Sequence, residues 1–251
     1  MSSSEQLSSD FYNRLGAEGL AKRTTSSWDE HILCQLHKVL SPGQHILDAG
    51  CGYGRIAIPL AKSGYKVTGL DISSILLQAA RERAERERAS VDWLQASMCQ
   101  IPLLDESFDV VLCLWSAFHE LLAEEEQFQA LSEMYRVLRS PGWCLIEGPL
   151  YSPATDDEIK SGKRYGSENR ISLDTISGML NPHYYHDPES FTRLMKKADI
   201  ESFQVYIEDW AGRPRQFLRF EKNGTYDRLT NHTAYSRLTD PEYPKNSRCP
   251  T

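Results

Sequence analysis

Ile46-Leu-Asp-Ala-Gly-Cys-Gly-Tyr-Gly-Arg55 begins as an apolar run, turns acidic at Asp48 and passes into a loop containing Gly50, Gly52 and Gly54. A second run, Lys66-Val-Thr-Gly-Leu70, ends in another acid, Asp71. The order is strand, glycine loop, helix, strand, acid. That order signals a nucleotide-like ligand at the carboxyl ends of parallel strands. Glycines let backbone pass close to a ligand because no Cβ intervenes. The spacing is Gly-x-Gly-x-Gly, and no lysine follows, so it is not a P-loop. A carboxylate at the lip of the loop repels phosphate and suits a cation. The same glycines would also suit a tight strand–helix turn with no ligand. The paired acids speak against that reading.

S-adenosylmethionine fits such a seat, because it carries an ammonium and a sulfonium. At these residues the chain resembles the class I S-adenosylmethionine-dependent methyltransferases over roughly residues 44–148. Asp48-Ala-Gly-Cys-Gly-Tyr-Gly54 is similar to the family's first motif. Phe108-Asp-Val-Val-Leu-Cys113 resembles its fourth strand, and Tyr135-Arg-Val-Leu-Arg-Ser-Pro-Gly142 the helix and turn before the fifth. The resemblance implies that Asp48, Ala49, Gly50, Cys51, Gly52 and Gly54 hold the methionine part of the cofactor. It implies that Asp71, followed by Ile72, binds the ribose. After the third strand the family often has an acid for the adenine amino group. Here Ser97 stands in that place, with Met98 against the adenine face. A serine hydroxyl can still accept from an amine.

Along the chain, strands are expected at 44–48, 66–71, 91–95, 108–114, 142–148, 200–208 and 214–220. Helices are expected at 28–40, 54–63, 73–89, 123–139 and 188–198, with Ser27 as a possible N-cap. Strands alternating with helices imply a doubly wound α/β fold with a mostly parallel sheet. The last two strands flank Gly212-Arg-Pro214, a hairpin signal. The resemblance implies a Rossmann-like seven-stranded order, 3-2-1-4-5-7-6. The methyltransferase domain is placed at 28–220, and residues 1–27 are read as a segment over the cofactor pocket with Tyr12 facing the ligand. Residues 149–187, rich in Pro and Gly, are read as a long irregular substrate lid after the fifth strand, with disorder as the alternative. Residues 221–251 look like a polar tail.

The loop after the fourth strand, Leu114-Trp-Ser-Ala-Phe-His-Glu-Leu121, is the best candidate for the reacting end. In the resembling family it lies beneath the methionine. Leu114 would offer its backbone to the cofactor, and Trp115 would face the substrate. His119 is the side chain there suited to accept a proton near neutral pH, and Glu120 is the lesser candidate. The alternatives are a histidine bonded to backbone and a favourable charge at a helix start. In the lid, His183 and Tyr184 are further acid–base candidates, and Tyr151, Tyr185 and His186 are substrate-lining candidates. His183 and His186 have a His-x-x-His spacing, but no third ligand lies at a familiar distance, so no metal is expected.

The 251 residues suffice for one sizeable domain. The net charge of −7 disfavours a nucleic-acid footprint. Arg81-Glu-Arg-Ala-Glu-Arg-Glu-Arg88 alternates in sign and reads as a solvated helix face. The six cysteines, at 34, 51, 99, 113, 144 and 249, show no Cys-x-x-Cys spacing and are expected as reduced thiols. No apolar stretch suits a membrane span, and Met1-Ser-Ser-Ser lacks a signal-peptide pattern, so a cytoplasmic enzyme is expected. The expected partner is a small-molecule methyl acceptor, on oxygen or nitrogen. RNA or protein methylation is weaker, because no basic stripe and no Asn-Pro-Pro-Tyr-type motif is present. A catalytically silent binding subunit is the non-enzymatic alternative. The oligomeric state stays open, a homodimer included.

Overall fold

The glycine loop joins the first strand of a seven-stranded sheet to the helix that follows it. The computed structural model describes residues 3–24, 26–176, 179–210 and 212–222. Strand β1 (His45–Ala49) lies between β2 (Lys66–Asp71) and β4 (Phe108–Cys113), all parallel. Beyond β2 lies β3 (Asp92–Gln95), and beyond β4 lies β5 (Leu138–Pro149). The antiparallel pair β9 (Phe203–Trp210) and β10 (Arg213–Lys222) completes the order β3-β2-β1-β4-β5-β10-β9. This is the expected order, with the expected hairpin at its edge. The register pairs Asp48 with Gly69 and Asp71 with Gln95, so both acids end at the carboxyl edge.

The central strands are apolar on both faces because helices cover both. On one face Leu131 and Met134 of α5 (Glu124–Val137) and Phe191 and Leu194 of α7 (Pro188–Lys197) pack on Leu47, Val111 and Ile146. On the other, Ile32 and Leu36 of α2 (Ser26–Val39) and Leu60 of α3 (Ala57–Lys62) pack on Ile46, Val110 and Phe217. Alternate residues of one strand serve opposite faces. Each such side chain contributes about 1.5–3 kcal/mol when fully buried. Helix α4 (Ser74–Glu87) follows Asp71 and is capped by Ser73, whose side chain accepts from the Leu76 N–H.

Several boundaries differ from expectation. Helix α5 stops at Val137 rather than 139, because Leu138 turns extended and starts β5. Ser27 lies inside the first turn of α2 instead of capping it. Residues 1–27 hold a helix, α1 (Ser3–Ala21), kinked at Gly16. Its serine-rich, weakly apolar sequence gave no helical stripe to read.

The irregular reading of residues 149–187 is corrected. They hold α6 (Asp156–Lys160) and an antiparallel sheet of β6 (Arg164–Tyr165), β7 (Ile171–Ile176) and β8 (Met179–Tyr184). Thr155 and Glu158 form a capping box at the start of α6. Strand β8 packs against α1 and against the 3-10 turn Ala117–Glu120. Of the expected tail, Glu221 and Lys222 finish β10, and 223–251 lie outside the described residues. Among the described residues, no helix is long and apolar enough to cross a membrane.

Candidate functional site

The site is a pocket at the carboxyl edge of β1, β2, β3 and β4, roofed by α1, with about 920 Å³ of open space. Its floor is the glycine loop. Gly50 and Cys51 donate backbone N–H groups to the Leu70 carbonyl at 2.7 and 3.0 Å, tying the loop to β2. Gly50 has φ +83°, and a Cβ there would meet the Ala117 Cβ at 2.5 Å. Only glycine fits that close approach. At Gly52, φ is +54° and a Cβ would find nothing nearer than 3.9 Å, so this part of the loop faces open space.

Asp71 organises the loop as well as edging the pocket. One carboxylate oxygen accepts from Gly52 N–H at 2.7 Å, the other from Ser73 N–H at 2.9 Å. Each oxygen keeps further acceptor capacity toward a ligand. Burial raises its pKa to about 6, against the pull of those N–H groups. Asp48 is raised to about 7, first by burial and then by the charge of Asp71. Two buried carboxylates thus edge the pocket, a setting in which a neighbouring cation would favour their ionised forms.

The turn after β4 forms one wall. Trp115 and Ser116 both have positive φ, +58° and +69°, which costs non-glycine residues free energy. The fully buried Glu147 of β5 holds them there. It accepts from Trp115 N–H at 2.7 Å and pairs with Arg215, whose Nη2 donates to Ser116 Oγ at 2.7 Å. The Arg55 guanidinium lies 4.1 Å from the Trp115 ring centre, and Trp28 stacks beyond that ring at 6.1 Å. Arg55 is itself neutralised by a two-bond pair with Asp29, at 2.7 and 3.0 Å.

Helix α1 supplies the roof. Glu5, Ser8 and Tyr12, at helical spacing, line the pocket together with Leu20. The Tyr12 hydroxyl donates to Glu120, and His183 Nε2 lies 3.9 Å from the same carboxylate oxygen. Burial raises the Glu120 pKa, while His183, Tyr12 and Ser8 pull it back. Asn13 accepts from Ser73 Oγ at 2.8 Å, and Ser4 Oγ accepts from Leu122 N–H at 3.1 Å.

Of the residues singled out from the sequence, Tyr12, Asp48, Gly50, Cys51, Gly52, Asp71, Ile72, Met98, Leu114, Trp115 and Glu120 line one pocket. Ala49 is buried beneath the loop, and Gly54 is packed against Ile58 and Trp93. Ser97 lies just behind the wall, its hydroxyl donating to Glu5. His119 faces away. It is fully buried against Gly148, Phe191 and His186, and its ring nitrogens have no hydrogen-bond partner among the described residues. Burial, then His186, hold its pKa well below the usual range.

The side chains singled out in residues 149–187 are not among those lining the pocket. His186 is buried, with Nδ1 3.1 Å from Ser190 Oγ, and Tyr184 packs on its ring. Tyr185 lies under Arg164, and Tyr151 under Arg170. No group of three or more metal-binding side chains occurs among the described residues. The five described cysteines are free thiols.

Sequence reasoning missed Glu5, Ser8, Arg55, Glu147 and Arg215. Glu147 had a signal, as an acid inside the apolar run Cys144-Leu-Ile-Glu147. Glu5 and Ser8 had none, since their partners lie far along the chain.

This sheet order, with an acid-flanked glycine loop at its switch point, is that of the class I S-adenosylmethionine-dependent methyltransferase fold. Residues 46–142 match the family model described as a methyltransferase domain. The chain is 33% identical over 122 residues to a methyltransferase of Geobacillus sp. (strain WCH70), covering 48% of this chain and 49% of that protein. It thus spans about half the length of this relative. It is 30% identical over 188 residues to the glycine/sarcosine/dimethylglycine N-methyltransferase of Actinopolyspora halophila, covering 73% of this chain and 31% of that one. Among solved structures, it resembles the Burkholderia thailandensis 1,6-didemethyltoxoflavin-N1-methyltransferase, which holds 1,6-didemethyltoxoflavin and S-adenosylhomocysteine. There the TM-score is 0.64 at 16% identity, covering 87% of this chain and 88% of that one.

Proposed function

We propose that the protein is an S-adenosylmethionine-dependent methyltransferase whose acceptor is the nitrogen of a small-molecule amine. One observation carries the choice of an amine: the pocket holds more carboxylates than the donor's cations use. Glu5, Asp48, Asp71 and Glu120 line it, and its one arginine, Arg55, is neutralised by Asp29. Buried carboxylates of this kind favour cationic ligands and disfavour carboxylate or phenolate acceptors. The N-methyltransferases among its sequence relatives support the same reading.

The residues present fit the donor. Asp48 faces its ammonium, Asp71 its ribose hydroxyls, and the loop at Gly52 approaches it closely. Bound there, S-adenosylmethionine supplies an electrophilic methyl group on a good leaving group. The chain's task is then alignment and exclusion of water, which α1 performs as a roof. Glu120 orients the amine by accepting its N–H and takes the proton that the nitrogen must shed. Its raised pKa suits that role better than an ordinary carboxylate would. His183, beside it, steadies the carboxylate once ionised.

Transfer of a labelled methyl group to a panel of small amines, phenols and carboxylates tests this. At least one amine should be methylated. Glu120→Gln should lower kcat by about 10²–10⁴-fold and leave donor affinity nearly unchanged. Turnover of phenols or carboxylates alone would sink the amine reading.

A further inference from the structure

We propose that the adenine of the donor is read by Glu5, a carboxylate that α1 brings in from the far end of the chain. This rests on the donor being S-adenosylmethionine. Beside Asp71 the pocket has apolar walls, with Ile72 after β2 and Ala96 and Met98 after β3. Such walls suit the faces of a purine. The edge of adenine also carries an amine, and burying it without an acceptor is costly. The carboxylate at this end is Glu5, which is 6% exposed and lines the pocket.

Ser97 does not line the pocket; it holds Glu5 in place. Its hydroxyl accepts from Cys99 N–H at 2.9 Å and donates to Glu5 Oε1. With its proton directed at Glu5 and a lone pair at Cys99, Ser97 acts as a positioning residue. Held from behind in this way, the Glu5 carboxylate stays on the pocket wall, where the edge of the base would meet it. The bonds of Ser4 to Leu122 and Asn13 to Ser73 fix the register of α1, so Glu5 cannot slide past the base. The roof helix therefore carries a recognition group as well as a cover.

Calorimetry tests this on the full chain with two ligands, S-adenosylhomocysteine and its analogue lacking the adenine amino group. The native protein should bind the analogue about 10- to 100-fold more weakly. Glu5→Gln should weaken S-adenosylhomocysteine by a similar factor, yet bind the analogue within about twofold of the native protein. Adding Ser97→Asp to Glu5→Gln returns a carboxylate next door and should restore discrimination for the amine. Thermal melting of each variant checks that α1 stays docked. If Glu5→Gln weakens both ligands equally, or neither, the proposal is overturned. If the native protein binds neither ligand, the donor reading fails and this proposal falls with it.

Discussion

The floor and the roof of the pocket are built on different principles. The floor, β1 through β2, is a short stretch of chain whose backbone bonds to itself: Gly50 and Cys51 to Leu70, Gly52 to Asp71. The roof, α1, is held mainly by side chains reaching residues 60 to 118 positions away: Asn13 to Ser73, Glu5 to Ser97, Tyr12 to Glu120, Ser4 to Leu122. Floor contacts are buried with the core and share its cooperativity. Roof contacts are individual side-chain bonds, around one buried apolar anchor, Phe11, and each contributes only modestly on balance. A donor site needs both kinds: a rigid seat for the reacting group, and a cover that releases product.

The largest expected effect lies in the supporting wall. Arg215→Ala leaves Glu147 buried and unpaired beneath the strained Trp115–Ser116 turn. Chemical denaturation should show a loss of about 3–5 kcal/mol. A loss below about 1 kcal/mol would mean that the wall does not depend on this pair.

Tyr12→Phe acts on the roof alone. It removes one partner of the buried Glu120, at a cost of about 1–3 kcal/mol. Amide exchange along α1 should quicken in the variant while β1 and β2 stay protected, and S-adenosylhomocysteine should slow α1 again. Equal acceleration of floor and roof would erase the distinction between them.

A dependence on pH sharpens the account of the floor. Burial raises Asp48 and Asp71 from 3.8 to about 7 and about 6. Between about pH 4 and 7 the folded chain therefore binds more protons than the unfolded one. Ligand-free stability should fall as pH rises through that window. Affinity for the cationic donor should rise over the same range, with protons released on binding. Calorimetry in buffers of differing ionisation enthalpy reads that release. Proton uptake would contradict the seat described for Asp48.

Much of the floor was legible before the structure. Hydrophobic runs ending in Asp48 and Asp71, with glycines between, are local patterns, and local backbone chemistry permits few arrangements of them. The roof was not legible. A serine-rich segment gives no apolar periodicity, and the pocket-facing stripe of Glu5, Ser8 and Tyr12 has meaning only beside Ser97 and Glu120. Residues 149–187 misled for a related reason. Its prolines and glycines suggested irregularity, yet Ile171-Ser-Leu173 alternates as a strand does, and β8 accommodates Pro182 at a sheet edge.

His119 and Glu120 show where sequence inference ends. Adjacent residues in one loop looked alike as proton acceptors, and residue type favoured the histidine. The 3-10 turn at Ala117–Glu120 sends His119 into the core against Gly148 and Glu120 into the pocket beneath Tyr12. The order of strands and the acid-flanked loop follow from neighbours along the chain, so the linear sequence sufficed for them. Which acids of the turn and of α1 line the pocket depends on the angle of one turn and the docking of one helix. Those are set by packing between distant segments, and only the folded molecule contains them.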